Sequence, residues 1–78
     1  MRREYCEKNG VLITYTDTDV AFEECDTAES ILIANDGTIL HNNFEADKEK
    51  TERFLKEFYL IYPTISYFRS LDNMEDAV

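Results

Sequence analysis

The sequence has few residues that break secondary structure, form disulfides or bind metals. It contains two glycines, one proline, two cysteines and one histidine, and no tryptophan. Gly10 and Gly37 alone cannot build a glycine-rich phosphate-binding loop. Two cysteines fall far short of a disulfide framework. Structural zinc takes four Cys or His ligands at short paired spacings, and Cys6, Cys25 and His41 supply three at long ones. We therefore expect neither a metal nor a cofactor.

Long apolar runs are also missing. None reaches the roughly 18–20 residues that a membrane-spanning helix needs. The two arginines near the N-terminus are followed by no apolar stretch, so this segment is not a signal peptide. We expect a cytoplasmic protein without a membrane partner. In that compartment Cys6 and Cys25 would stay reduced, as two small buried hydrophobes and not a disulfide.

What the sequence does contain is enough apolar material for a small core. Of the 78 residues, 44% are hydrophobic and 13% aromatic, too apolar for a disordered chain despite the net charge of −9. This length has room for one domain, 1–78, whose last few residues are expected to fray. Because so short a chain buries a modest share of its surface, most of the aromatic residues are needed in the core.

The first half of the chain predicts antiparallel strands. Asn9-Gly10 suits a two-residue type I′ turn between residues 2–8 and 11–16, and Asp17-Thr18 suits a second turn into residues 19–25. These two turns, assigned independently, place the same apolar residues on one side of the sheet. They are Cys6, Ile13, Tyr15, Val20 and Phe22.

A further hairpin is predicted for residues 30–34 and 38–42, around the loop Asn35-Asp36-Gly37. In its simplest register Ile33 opposes Ile39, and Ile31 opposes His41. Both faces of this hairpin are then apolar, so we expect it to be central in the sheet or covered twice.

From about residue 46 to 62 the apolar period becomes helical, with Phe54, Leu55, Phe58, Ile61 and Tyr62 in one stripe. Pro63 is expected to end this helix. Residues 64–74 fit either a second short helix or a final strand, and the spacing of Tyr67, Leu71, Met74 and Val78 favours the helix. The predicted fold class is α+β: a four- to five-stranded antiparallel sheet with the helix on one face.

Charge is distributed unevenly along the chain. No Lys or Arg occurs between Lys8 and Lys48, and residues 9–46 contain eight carboxylates, whereas the helical segment 47–58 is electrically neutral. Such a surface repels nucleic acid and attracts basic clefts. We therefore predict a basic protein as partner, and no direct contact with nucleic acid. The predicted acidic binding face consists of Asp17, Asp19, Glu23, Glu24, Asp26, Glu29 and Asp36.

The function that follows is a non-catalytic acidic interaction protein, in its sharpest form an inhibitor that mimics nucleic acid. In size and acidity the chain resembles phage-encoded antagonists of host nucleases, restriction enzymes or CRISPR effectors, which implies action in the host cytoplasm. An alternative is a small structural or regulatory subunit, or a homodimer, that binds through Tyr59 and Leu60 on the aromatic helix. A second alternative is a small enzyme using His41. We expect no enzyme, because His41 is predicted to be partly buried and no nucleophile and base can be assembled around it.

Overall fold

The computed structural model describes residues 1–44 and 47–76, with side chains described up to Met74. Its elements are five strands followed by one helix: β1 (Arg3–Lys8), β2 (Val11–Tyr15), β3 (Asp19–Glu24), β4 (Ser30–Ala34), β5 (Ile39–Asn42) and α1 (Lys48–Asp76). The strands form one antiparallel sheet in the order β1-β2-β3-β4-β5. The helix packs on one face of it, which confirms the predicted α+β class.

Tight turns join neighbouring strands, as the local sequence predicts. Asn9 and Gly10 have φ angles of 54° and 78°, which is the positive-φ pair that a type I′ turn requires. At the second turn the Thr16 amide donates to the Asp19 carbonyl over 3.0 Å. Gly37 has a φ of 90° and its amide donates to the Ala34 carbonyl, so glycine is needed where the third turn reverses.

The register of the first three strands is confirmed. Cys6 pairs with Ile13, Ile13 with Phe22, and Tyr15 with Val20. Ile13, Tyr15, Val20 and Phe22 are at most 5% exposed, so the predicted apolar side of the sheet is the side that faces the helix. We call it the inner face. Since side chains alternate along a strand, the residues between them lie on the opposite, outer face.

An irregularity in β1 interrupts this alternation. The register shifts between Glu4 and Cys6, so that Tyr5 is an extra residue. Tyr5 packs on the Phe68 ring of the helix at a centroid distance of 5.5 Å. Glu4 and Glu7 pair with Thr14 and Leu12, and both therefore lie on the outer face.

The β4–β5 hairpin corrects one predicted register. Ile33 pairs with Ile39 as predicted, but His41 pairs with Leu32 and not with Ile31, because the register shifts between these pairs. The extra residue is Leu40, which is 55% exposed. The outer side of this hairpin is thus neither buried nor covered by another element of the described chain, although β4 is an interior strand.

The helix is longer than predicted. It begins at Lys48, where the Asp47 side chain accepts a hydrogen bond from the Lys50 amide as an N-cap. The predicted start at Ala46 and the predicted fraying of the last residues, Val78 included, lie outside the described residues. The prediction that Pro63 ends the helix is wrong: α1 continues through it to Asp76. Residues 64–74 are helical, but they extend the same helix instead of forming a second one.

Tertiary packing explains why the helix passes a proline. Phe58 and Ile65, on either side of Pro63, are completely buried against the sheet. Pro63 itself is exposed and removes one hydrogen bond, to the Tyr59 carbonyl, at a cost of about 3 kcal/mol. Burying a large apolar side chain stabilises the fold by about 1.5–3 kcal/mol. The burial of these two side chains therefore outweighs the cost of the proline.

Candidate functional site

The cations of the chain are bound mainly within the fold. On the helix side, Lys50 contacts Glu29 at 2.5 Å and Arg53 contacts Glu24 at 2.6 Å. Two further pairs join β1 to the helix, Lys8 with Glu57 and Arg3 with Asp72. All these contacts lie on the inner face or its rim, because the helix supplies one partner of each.

Among the residues that the structure describes, Arg2 is the single cation on the outer face, and it already has partners. Its guanidinium donates to the Thr14 hydroxyl and pairs with the Asp19 carboxylate. The outer positions of β1 and β3 include Glu4, Glu7 and Glu23, all exposed and outside every ion pair seen among the described residues. The sheet therefore separates the charge of its own strands: Arg3 and Lys8 pair with the helix, and the unpaired Glu4, Glu7 and Glu23 lie on the face away from it.

This separation divides the seven predicted acidic residues. Asp19, Glu24 and Glu29 are neutralised by Arg2, Arg53 and Lys50. The other four take part in no ion pair within the described part of the chain: Asp17, Glu23, Asp26 and Asp36.

The four unpaired residues also lie at two ends of the sheet. Asp17 and Asp36 occupy adjacent turns, which the Asn35 amide joins by donating to the Asp17 carbonyl over 3.0 Å. Glu23 and Asp26 lie at or beyond the other end of β3. The six residues of that strand separate the ends by about 20 Å. The structure therefore does not bring the predicted residues together as one patch.

A compact acidic group surrounds Cys25. Its thiol donates weakly to Glu7 at 3.9 Å. Desolvation raises the pKa of Cys25, and the negative charges of Glu7, Glu23 and Asp26 add to the effect. These three carboxylates, which we call the Cys25 acidic group, add to the desolvation that disfavours the ionised thiolate. Cys25 is exposed, so the prediction of two buried cysteines is wrong for it; Cys6 is partly buried and packs against the core.

Glu7 was missed because the N-terminal segment was judged by its net positive charge. The turn at Asn9-Gly10 contains the missing signal. It sets Glu7 opposite Leu12, and hence on the side away from Cys6 and Ile13. Reading the parity of β1 from this turn would have placed Glu7 on the acidic face, whereas Glu4 reaches that face only through the extra residue Tyr5.

A shallow depression of about 340 Å³ occupies the middle of the outer face. Leu12, Ala21 and Leu32 contribute apolar surface there, and Glu23 and Arg2 lie at its margin. The outer face thus combines an apolar centre with carboxylates, which is the composition of an interaction surface more than of a purely solvated one.

His41 lines the same depression, together with Ser30. It is exposed, and no hydrogen bond among the described residues joins it to a nucleophile or an acid. The prediction of a partly buried, hydrogen-bonded histidine is therefore wrong. The bulge at Leu40 is the physical reason, because it moves His41 from Ile31 on the inner face to Leu32 on the outer one.

The predicted apolar alternative, Tyr59 and Leu60, lies on the solvent side of α1. The two side chains are 61% and 69% exposed. Tyr59 leans against the turn at Gly37, where its hydroxyl fills the space that a β-carbon would occupy. Leu60 continues into a longer apolar face that includes Tyr67, Leu71 and Met74.

In residues 1–44 and 47–76, no three or more His, Cys, Asp or Glu side chains group in a way that could hold a metal ion. No helix in them is both long enough and apolar enough to cross a membrane.

No family model matches this chain, and neither does any curated protein or solved structure.

Proposed function

We propose that this chain is a non-catalytic acidic interaction protein that docks through the outer face of its sheet on a basic surface of a partner protein. The observation that carries the proposal is the separation of charge across the sheet. The outer face presents Glu4, Glu7 and Glu23 while its only cation, Arg2, is paired. A basic partner gains attraction at this face without having to displace an internal ion pair.

The partner class that fits is a nucleic-acid-binding protein. Such proteins carry dense Lys and Arg surfaces that bind phosphates. Outward positions recur about every 6.6 Å along a strand, and β1 with Glu4 and Glu7 lies about 10 Å from β3 with Glu23, across β2. The spacing of these carboxylates is therefore within about threefold of the ~3.4 Å per phosphate of a DNA strand. By occupying such a surface, the chain would act as an inhibitor that competes with nucleic acid, in the cytoplasm where its partner works.

Capture from source-cell lysate tests this proposal. The immobilised chain is incubated with nuclease-treated lysate, washed at low salt and eluted with rising salt. We expect a basic nucleic-acid-binding protein that elutes with salt and is displaced by added DNA or RNA. A captured protein that binds nucleic acid and this chain simultaneously would contradict the mimicry, and the absence of any salt-sensitive partner would contradict the proposal as a whole.

A second candidate function rests on a different surface. The exposed apolar side of α1 favours a structural subunit that binds through its helix, with the acidity serving solubility. Substitution separates the two candidates: Leu60→Lys would abolish binding by the helix and leave binding by the outer face intact.

A further inference from the structure

The middle of α1 is nearly free of charge. Between Phe58 and Leu71 the only charged residue is Arg69. Arg69 is turned to the sheet, where its guanidinium donates to the carbonyls of Thr16 and Asp19. In a protein that is 32% charged, an exposed uncharged helix face of this length is unusual and marks an interaction surface.

The apolar side chains of this face form one stripe. Leu60, Tyr67 and Met74 follow one another at intervals of seven residues, and Leu71 lies beside them. At 100° per residue all four fall within about 60° of the helix circumference. Their exposures are 69%, 61%, 67% and 40%. We call these four residues the α1 stripe.

The stripe is self-complementary. If two copies of α1 pack antiparallel about a two-fold axis at Tyr67, Leu60 of one copy meets Met74 of the other at both ends. Tyr67 meets its own equivalent at the centre, and Leu71 meets Pro63. Such a pattern suits an isologous interface, in which the same patch is used by both subunits.

Charge determines which face of the molecule a second copy can use. Each chain carries −9, so two chains repel wherever their acidic surfaces meet. The unpaired outer carboxylates lie on the far side of the sheet from the helix. Contact through α1 therefore keeps the two acidic faces apart, whereas contact through the sheet would bring them together.

We propose that the chain forms a two-fold symmetric homodimer through the α1 stripe. The stripe runs for about 21 Å, and a helix is about 10–12 Å wide, so the interface is small. Interfaces below about 1,200 Å² bind weakly, and we expect a dissociation constant in the micromolar range. The dimer does not depend on the proposed partner binding, but it would give each particle two outward acidic faces.

Sedimentation equilibrium over a range of protein concentrations tests the dimer. We expect reversible dimerisation that weakens at least tenfold in Leu60→Lys and stays within twofold in Ser66→Lys. Both variants add one positive charge to an exposed position of the same helical stretch, but Ser66 lies about 120° from Leu60 around the helix. Leu60→Lys makes the chain less negative and so reduces the repulsion between copies. Loss of dimer in this variant would therefore show that the apolar contact holds the dimer together.

Salt separates this contact from partner binding. Because added salt screens the repulsion between copies, it should strengthen the dimer, whereas it should weaken binding of a basic protein. A chain that stays monomeric at millimolar concentration and high salt would overturn the proposal, as would equal loss of dimer in both lysine variants. Neither result would bear on binding through the sheet.

Cysteine cross-linking tests the orientation. In a Cys25→Ser background, Tyr67→Cys places one thiol beside its equivalent across the axis, and oxidation should give a disulfide-linked dimer. Leu60→Cys places the two thiols about 21 Å apart in the antiparallel arrangement, and no cross-link should form. Efficient cross-linking of Leu60→Cys with none at position 67 would contradict the proposed two-fold axis.

Discussion

The Tyr15 hydroxyl donates a 2.9 Å hydrogen bond to the carboxylate of Asp72, and this contact joins strand β2 to the helix nine residues beyond Pro63. Arg3 reaches the same carboxylate at 3.2 Å. Arg69 of the helix also donates to the Thr16 carbonyl at the turn between β2 and β3. These contacts attach to the sheet the part of α1 that presents Tyr67, Leu71 and Met74.

This hydrogen bond predicts a loss of stability at high pH. Desolvation and then the bond to Asp72 raise the pKa of Tyr15 above its ordinary value near 10. A group whose pKa is raised on folding stabilises the fold fully below its unfolded pKa, and this contribution is lost as pH rises through the folded pKa. Denaturant titrations from pH 8 upward should show stability falling above about pH 10.

Tyr15→Phe supplies the control for this effect. The variant lacks the titrating hydroxyl, so its stability should be about 1 kcal/mol lower at neutral pH and should fall less steeply at alkaline pH. An unchanged alkaline slope in Tyr15→Phe would show that the loss arises elsewhere, for example at Cys6, whose pKa burial also raises.

Pro63 predicts a stabilising substitution. Because α1 is helical through this position, Pro63→Ala restores a hydrogen bond to the Tyr59 carbonyl and removes a steric conflict. The free energy of unfolding should rise by about 1–3 kcal/mol. Thr64→Ala, at the exposed neighbouring position, should change it by less than about 1 kcal/mol. A destabilised Pro63→Ala in chemical denaturation at low protein concentration would contradict the helix described here.

The sheet could be predicted from the sequence because its information is local. Asn9-Gly10 fixes one turn, and the alternation of Ile13, Tyr15, Val20 and Phe22 fixes which side is buried. The bulge at Leu40 could not be predicted, since an extra residue leaves the local composition unchanged. As a result His41 was placed on the wrong face.

The predicted helix was too short for a related reason. Pro63 is a strong local signal, but the contacts that override it come from residues far away in sequence, Tyr15 and Thr16 among them. The sequence shows that residues 9–46 are acidic and contain no Lys or Arg. It does not show which of their carboxylates form ion pairs in the fold. Arg2, Lys50 and Arg53 lie outside this range and neutralise three of its carboxylates in the fold.

The two glycines predict a difference in their tolerance of alanine. Both have positive φ, so Gly10→Ala and Gly37→Ala each introduce backbone strain of about 1 kcal/mol. A β-carbon at Gly10 meets open space, whereas one at Gly37 collides with the Tyr59 hydroxyl. Gly37→Ala should therefore cost more, and Tyr59→Ala in the same chain should recover the excess. Equal costs in thermal unfolding would show that Tyr59 does not hold this turn.

The separation of charge across the sheet predicts which carboxylates matter for binding. Glu7 and Glu23 lie on the outer face, and Glu49 and Glu52 lie on the solvent side of the helix; all four are exposed. Glu7→Gln/Glu23→Gln and Glu49→Gln/Glu52→Gln therefore remove the same charge from opposite sides of the molecule. At about 0.2–1 kcal/mol for each exposed pair, the first variant should weaken partner binding by roughly 2- to 30-fold.

The most direct measurement is the affinity for the purified captured partner as a function of salt, in the wild type and these two variants. The account predicts that Glu7→Gln/Glu23→Gln binds more weakly at low salt and loses less affinity as salt rises, while Glu49→Gln/Glu52→Gln follows the wild type. If Glu7→Gln/Glu23→Gln instead keeps full affinity and the wild-type salt dependence, the outer face of the sheet is not the docking surface.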